Sequence, residues 1–514
     1  MIELLKLKEP SLLFRHNQAI EDPRDGLALF GTLDEGKPFG IRWGVIGTPE
    51  GIQRLKNWVQ KINNPIYDKV DASQPIDARP PFLGFETIFR IPWPSKPAIE
   101  LAISGDEIRN CIYLEEPHQR VYNTVDLFSS RILRAINQED AQADIWFVVI
   151  PDDIYKYCRP KSIVEADLKI QSKAKISSKM IKTLRKQTSF LAEYQKDQID
   201  PYYFELNFHN QLKARLLTSK ALTQIIREST IAPWDFPDSR GNPARGMDKM
   251  QASVAWNVST AVFYKCGGRP WKINGIRDGV CYLGLVFKQL PQNSAGGNAC
   301  CAAQMFLDSG DGVVFKGAVG DWYNPGVGDY HLDREAAANL VSLAIDTYRA
   351  NKADKMPSEL FLHGRVQFND EEWSGFRDAV ESNTNLVGVK IRESSDLKLF
   401  RKARMPVLRG MAYIHSKRKA YLWSKGYISR LQTYPGREVP NPLYIDVCRG
   451  RADMEVILND VLALTKLNYN TCIFADGVPV TLRFADAVGE ILTAGPLSTD
   501  DETQDIPLPF RHYI

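Results

Sequence analysis

From residue 279 onward the chain lays down apolar runs and helical stretches in an order that few folds can accommodate. Gly279-Val280-Cys281-Tyr282-Leu283-Gly284-Leu285-Val286-Phe287 reads as a buried strand. Residues 302–307 and 313–317 read as two more, joined by the turn Asp308-Ser309-Gly310-Asp311-Gly312. Ala337, Leu340, Val341, Ala344 and Tyr348 then fall at helical spacing on one face, with Asp333 or a neighbour placed to cap the first turn. A strand at 359–363 precedes Asn369-Asp370-Glu371-Glu372-Trp373, a capped helix start with acids where the backbone N–H groups are unpaired. A further strand follows at 386–391. The resulting order is β-β-β-α-β-α-β.

That order matches a ribonuclease H-like domain. The first half is organised differently: Gly44-Val45-Ile46-Gly47 leads into the helical stretch 51–59, and residues 144–150, Asp-Ile-Trp-Phe-Val-Val-Ile, stop at Pro151. A strand that is apolar at successive positions buries both faces, as in the middle of a parallel sheet covered by helices. The expectation is an α/β chain with a small α/β domain over residues 1–255 and a ribonuclease H-like domain over 256–514.

A hydrophobic content of 44% and a charged content of 25% exclude a disordered or fibrous chain of this length, 514 residues. No uncharged apolar run approaches the ~18 residues of a membrane span, and Met1-Ile2-Glu3-Leu4-Leu5-Lys6 lacks the order of a secretion signal, so a soluble, cytoplasmic protein is expected. None of the eight cysteines forms a Cys-x-x-Cys pair, which argues against a zinc site. The net charge of +3 says little about partners, but its distribution says more. Lys169, Lys173, Lys175, Lys179, Lys182, Arg185 and Lys186 form a run with no acid between them. Such a run is either a solvated face or a contact for a nucleic-acid backbone, where clustered cations displace condensed counterions.

Several stretches resemble an Argonaute protein, specifically a short prokaryotic Argonaute with only the MID and PIWI domains. Lys265-Cys266-Gly267-Gly268 resembles the Lys-x-Gly-Gly signature where a Rossmann-like MID domain passes into PIWI. Tyr282-Leu283-Gly284-Leu285 is similar to the first PIWI strand, and Leu362-His363-Gly364-Arg365 to the fourth. Residues 464–469 and 479–486 fit near the end. The opening Glu21-Asp22-Pro23-Arg24-Asp25-Gly26, the stretch 300–308 and Pro440-Asn441-Pro442 resemble the Argonaute subunit of SPARTA systems. The resemblance implies a guide RNA, a complementary single-stranded DNA target, and a separate TIR-APAZ protein that forms a heterodimer with this chain. Target binding would switch on NAD+ hydrolysis in that partner and drive oligomerisation.

The resemblance also supplies a site. His209 and Lys213 lie four residues apart, on one face of a helix, and Gln224 follows at the family's spacing. With Lys265 they would hold the guide's 5′-phosphate through charge-assisted hydrogen bonds, and His209 would also stack beneath the first base. The carboxylate of Ile514 would hold a Mg2+ ion beside that phosphate. Residues 151–208 exceed the short loop of long Argonautes at this place and contain the basic run.

Nuclease ligands are largely absent. An active PIWI domain needs several carboxylates to hold two cations about the scissile phosphate. Val286 and His363 stand at two of the aspartate positions, Asp486 alone matches the last, and the family's glutamate has no counterpart that the sequence locates. The expected function is guide and target binding without cleavage. Two alternatives stay open at this level: a guide-directed nuclease using Asp308, Asp311 and Asp486, and a purely structural partner. Sirtuin-like or nuclease APAZ effectors are alternatives to the TIR partner.

Overall fold

The computed structural model describes residues 4–68, 80–138, 142–171, 200–289, 299–307, 312–320, 322–324, 329–495 and 508–514. Within them the first α/β unit is built on four parallel strands in the order Ile99–Ala102, Trp43–Gly47, Ile145–Ile150, Thr223–Arg227. The strand Ile145–Ile150 is buried at every position and flanked by parallel neighbours on both sides, as its unbroken apolar run requires. Successive side chains face opposite ways. Ile145, Phe147 and Val149 pack against Ile52, Leu55 and Trp58 of the helix Pro49–Ile62. Trp146, Val148 and Ile150 pack against Val121, Val125 and Phe128 of the helix Pro117–Gln138.

The second unit is a ten-stranded mixed sheet. Val280–Gln289, Ala299–Leu307 and Gly312–Gly320 run antiparallel, while Glu359–Gly364 and Asn385–Glu393 join Val280–Gln289 in parallel. This is the β-β-β-α-β-α-β order read from the sequence; of the turn that joins its second and third strands, Asp308 and Asp311 lie outside the described residues. The amphipathic stripe forms the helix Arg334–Asn351, capped by the Asp333 carboxylate accepting from Ala336 N at 2.7 Å. All five stripe residues are buried in one core. Asn369 begins the next helix, Asp370–Asp378, with a reciprocal capping box to Glu372.

Both ends of the sequence are recruited to the large sheet. Leu4–Lys6 pairs with Met411–Ser416 at one edge, and Leu508–Pro509 pairs with Gly312–Gly320 at the other. The first residues therefore pair within the second unit, and the helix Gln251–Lys265 runs across the expected 255/256 boundary. Strands of two or three residues carry no periodicity, so their pairing is set by tertiary contacts alone.

One close approach fixes the second unit's far face. The segment Val480–Arg483 lies on the strand Val280–Gln289 so tightly that a Cβ at Gly284 would sit 2.0 Å from the Thr481 carbonyl oxygen. Gly284→Ala is therefore expected to destabilise the protein by about 1–3 kcal/mol, the usual cost of overpacking, read as a lower midpoint in denaturant. An unchanged midpoint would show that Thr481 is free to move away.

Candidate functional site

The helix Phe208–Leu216 begins at Asn207, whose side chain accepts from His209 N and Asn210 N. Phe208, Leu212 and Leu216, each four residues apart, anchor it in the core beneath the first sheet. The next positions along, His209 and Lys213, thereby share a neighbouring stripe. Lys213 is buried, and its Nζ donates to the main-chain oxygen of Ile514 at 2.6 Å.

Lys265 ends a helix whose turn explains the glycine pair after it. Gly267 adopts φ +100°, a left-handed conformation that favours glycine, and its N–H donates to Tyr264 O. A Cβ at Gly268 would strike the Phe263 ring at 2.4 Å. The turn leaves Lys265 buried, with Nζ donating to Gln224 Oε1 at 2.8 Å and Thr223 O at 3.0 Å. The structure thus joins Lys265 to Gln224 and Lys213 to Ile514, the contacts between the four implied residues and the last one.

Desolvation pushes the Lys213 pKa down to about 7. It pushes Lys265 well below the ordinary lysine range, helped by the Lys213 charge. His209 is lowered as well, first by desolvation and then by the Lys213 charge, while the residue as a whole stays exposed. Two residues beyond the sequence reading complete the cluster. Arg511 and His512 follow the final strand, and Arg511 Nη1 lies 3.3 Å from where a Gly267 Cβ would be. Arg511 Nε and His512 Nδ1 are buried without a hydrogen-bond partner among the described residues. Only the pairing of basic residues next to the end of the sequence could have signalled them.

Buried cations with unpaired donors form a receptor for a compact anion such as phosphate. Mg2+ takes oxygen ligands, and Lys213 Nζ already holds one oxygen of Ile514, so an ion at that carboxylate would share it with the lysine.

Beside this cluster opens a cleft of about 580 Å³. His209 and Gln224 form part of its wall, while Lys213 and Lys265 lie behind it. Its floor is apolar, with Ile150, Ile154 and Val258 among the lining residues. At the rim the Tyr155 ring carries the guanidinium groups of Arg227 at 4.1 Å and Arg159 at 5.1 Å. An aromatic face flanked by cations suits a nucleobase next to a phosphate.

Of the expected backbone contacts, Lys173, Lys175, Lys179, Lys182, Arg185 and Lys186 lie outside the described residues. A second basic stretch is on view: Arg401, Lys402 and Arg404 are exposed beside Phe400, itself 75% exposed. Three cations and an aromatic within five residues were a legible signal, overlooked because acids nearby dilute the local charge.

The three positions that the resemblance sets against nuclease ligands differ in their surroundings. Val286 lies in a strand opposite Ala302. His363 is 1% exposed, opposite Gly284, with Nδ1 2.9 Å from Thr481 Oγ1, and desolvation lowers its pKa to about 3. Asp486 is exposed and paired with Arg365 at 2.9 Å. Among the described residues no cluster of three or more His, Cys, Asp or Glu side chains is placed to hold a metal ion, and no helix is long and apolar enough to cross a membrane.

No protein-family model and no curated protein matches the sequence. Solved structures match by fold. Clostridium butyricum Argonaute bound to a guide DNA and a 19-mer target DNA aligns with all of this chain and 55% of its own, at 14% identity and a TM-score of 0.64. Drosophila Piwi aligns over 99% of this chain and 56% of its own, at 12% identity and 0.55. Aquifex aeolicus Argonaute aligns over 98% and 54%, at 13% and 0.53. The chain has an Argonaute fold, a MID-type α/β unit followed by a ribonuclease H-like PIWI unit, and spans about half the length of these proteins.

The lowered Lys213 pKa gives anion binding a defined pH dependence. An anion raises that pKa, so above about pH 7 binding must draw in a proton, and affinity falls as pH rises; below pH 7 the ammonium is already formed. Calorimetry of a 5′-phosphorylated oligonucleotide at pH 8, in buffers of differing ionisation enthalpy, is expected to show net proton uptake that shrinks at pH 6. Absence of uptake at pH 8 would contradict the assignment.

Proposed function

We propose that this chain is the guide-binding subunit of a prokaryotic immune effector. It holds the 5′-phosphate of a guide RNA at Lys213, Lys265, Gln224 and Arg511, and seats the first base in the cleft against His209. The guide then pairs with complementary single-stranded DNA of an invading plasmid or phage. The observation that carries this reading is the pair of buried lysine side chains, with the unpaired Arg511 Nε, beside a cleft of aromatic and apolar residues. A terminal phosphate carries close to two negative charges and would satisfy these donors, whereas a 5′-hydroxyl would not. That Clostridium butyricum Argonaute is seen with a guide and a target supports the assignment of class. The choice of RNA as guide rests on the residues that resemble SPARTA Argonautes.

Specificity in such a complex comes from base pairing, and the protein reads phosphates and duplex geometry. The exposed stretch around Phe400, with Arg401, Lys402 and Arg404, serves the backbone. The test is the affinity of the purified chain for one short RNA bearing either a 5′-phosphate or a 5′-hydroxyl, at fixed salt. A preference of about tenfold or more, roughly 1.4 kcal/mol, that disappears in Lys213→Ala is expected. Equal affinity for both RNAs would refute the pocket.

The chain passes target recognition to its partner and does not cut. Two metal ions need several convergent carboxylates; Val286 cannot ligate, and His363 is sealed against Thr481. The effector is a TIR-APAZ protein in the cytoplasm, whose NAD+ hydrolysis starts when target binding brings complexes together. Incubation with guide, complementary DNA and Mg2+ or Mn2+ is expected to yield no specific fragments, while NAD+ is consumed only when guide, target and TIR-APAZ partner are all present. Guide-directed fragments, or NAD+ loss without target, would overturn this part.

A further inference from the structure

Asn210 follows His209 on the same helix, takes no part in the reading above, and is 4% exposed. Its side-chain amide is fully engaged. Nδ2 donates to Glu205 Oε2 and to Glu490 Oε2, each at 3.2 Å, and Oδ1 lies 3.0 Å from His209 Nδ1. Glu490 comes from the helix Ala485–Leu492 of the PIWI unit and is paired with Lys288 at 3.2 Å. Carboxylates accept, so the amide NH2 must face the two glutamates. The amide oxygen is thereby left to the histidine, and an oxygen acceptor requires the proton on Nδ1. A free imidazole favours the proton on Nε2. In this chain the neighbourhood reverses that preference and leaves Nε2 as the ring's acceptor.

Building on the guide-binding reading, we propose that Asn210 is a positioning residue that locks His209 as the Nδ1–H tautomer and ties the orientation of its ring to Glu490 across the MID–PIWI contact. The role of His209 changes accordingly. A neutral ring with Nδ1–H committed to Asn210 has no donor left for a phosphate oxygen. His209 therefore offers the guide a stacking face and one acceptor, and the phosphate belongs to Lys213, Lys265, Gln224 and Arg511. The charged groups about the ring agree with this division: Lys213 and Lys265 on two helices disfavour the imidazolium, while Glu205 and Glu490 reach it only through the neutral amide.

The test uses the full chain with 15N-labelled histidines and long-range 1H–15N correlation spectra, the His209 signals being assigned by their loss in His209→Phe. The wild-type protein is expected to show His209 with the proton on Nδ1. Asn210→Ala is expected to move the population toward Nε2–H. A wild-type His209 protonated on Nε2, or a tautomer unchanged in Asn210→Ala, would overturn the proposal; the wild-type spectrum decides even if a variant does not fold. On RNA, Asn210→Ala should weaken binding about two- to tenfold, the worth of one hydrogen bond, for 5′-phosphate and 5′-hydroxyl alike. Loss of the 5′-phosphate preference itself would place His209 on the phosphate and contradict the division of roles. Because the tautomer is read without nucleic acid, failure of the guide reading and failure of this proposal give different results.

Discussion

Two lysine side chains held out of water organise the rest of this structure. The fall of the Lys213 pKa from the ordinary lysine value to about 7 corresponds to roughly 5 kcal/mol of lost preference for the charged form. Such groups persist only where the fold over-determines their position. Here Phe208, Leu212 and Leu216 hold the Lys213 helix in the core, each apolar side chain contributing about 1.5–3 kcal/mol when fully buried. The remaining acceptors come from elsewhere in the chain: Ile514 for Lys213, and Thr223 with Gln224 for Lys265. A bound phosphate would recover this stored desolvation as charge-assisted hydrogen bonds.

The two sheets serve that cluster in different ways. The parallel sheet presents Thr223–Arg227 as its outer strand, with Gln224 on one side toward Lys265 and the apolar cleft at the carboxyl ends of the strands. This is where open α/β sheets generally place ligands. The large mixed sheet brings the end of the chain to the same place, because Leu508–Pro509 pairs with Gly312–Gly320 and the turn Phe510–His512 follows directly. The cation cluster thus spans both units, and Asn210 with Glu490 forms a second link across the same contact.

Much of this was legible in the sequence, and the limits have physical causes. The Ile145–Ile150 strand declared its central position by being apolar at every residue, and Ala337 to Tyr348 declared a helix by their spacing. Asp333 and Asn369 announced helix starts because caps are local. His209, Lys213, Gln224 and Lys265 were reached through resemblance, since nothing in helical spacing says that an ammonium will be buried. Arg511 and His512 escaped because their neighbours are distant in sequence. The edge strand Leu4–Lys6 escaped because three residues have no period. Glu490 was invisible for a third reason: an acid on an amphipathic helix reads as a solvated residue, and only the tertiary contact reveals its amide partner.

The central claim is that the buried cations exist to receive a guide's terminal phosphate. Its most direct test is an experimental structure of the chain with a 5′-phosphorylated RNA. The account requires the terminal phosphate oxygens to lie within about 3 Å of Lys213 Nζ, Lys265 Nζ and Arg511 Nε, the distance of a charge-assisted hydrogen bond, with the first base against His209. A phosphate bound elsewhere on the protein, with these three nitrogens still facing only protein atoms, would contradict it.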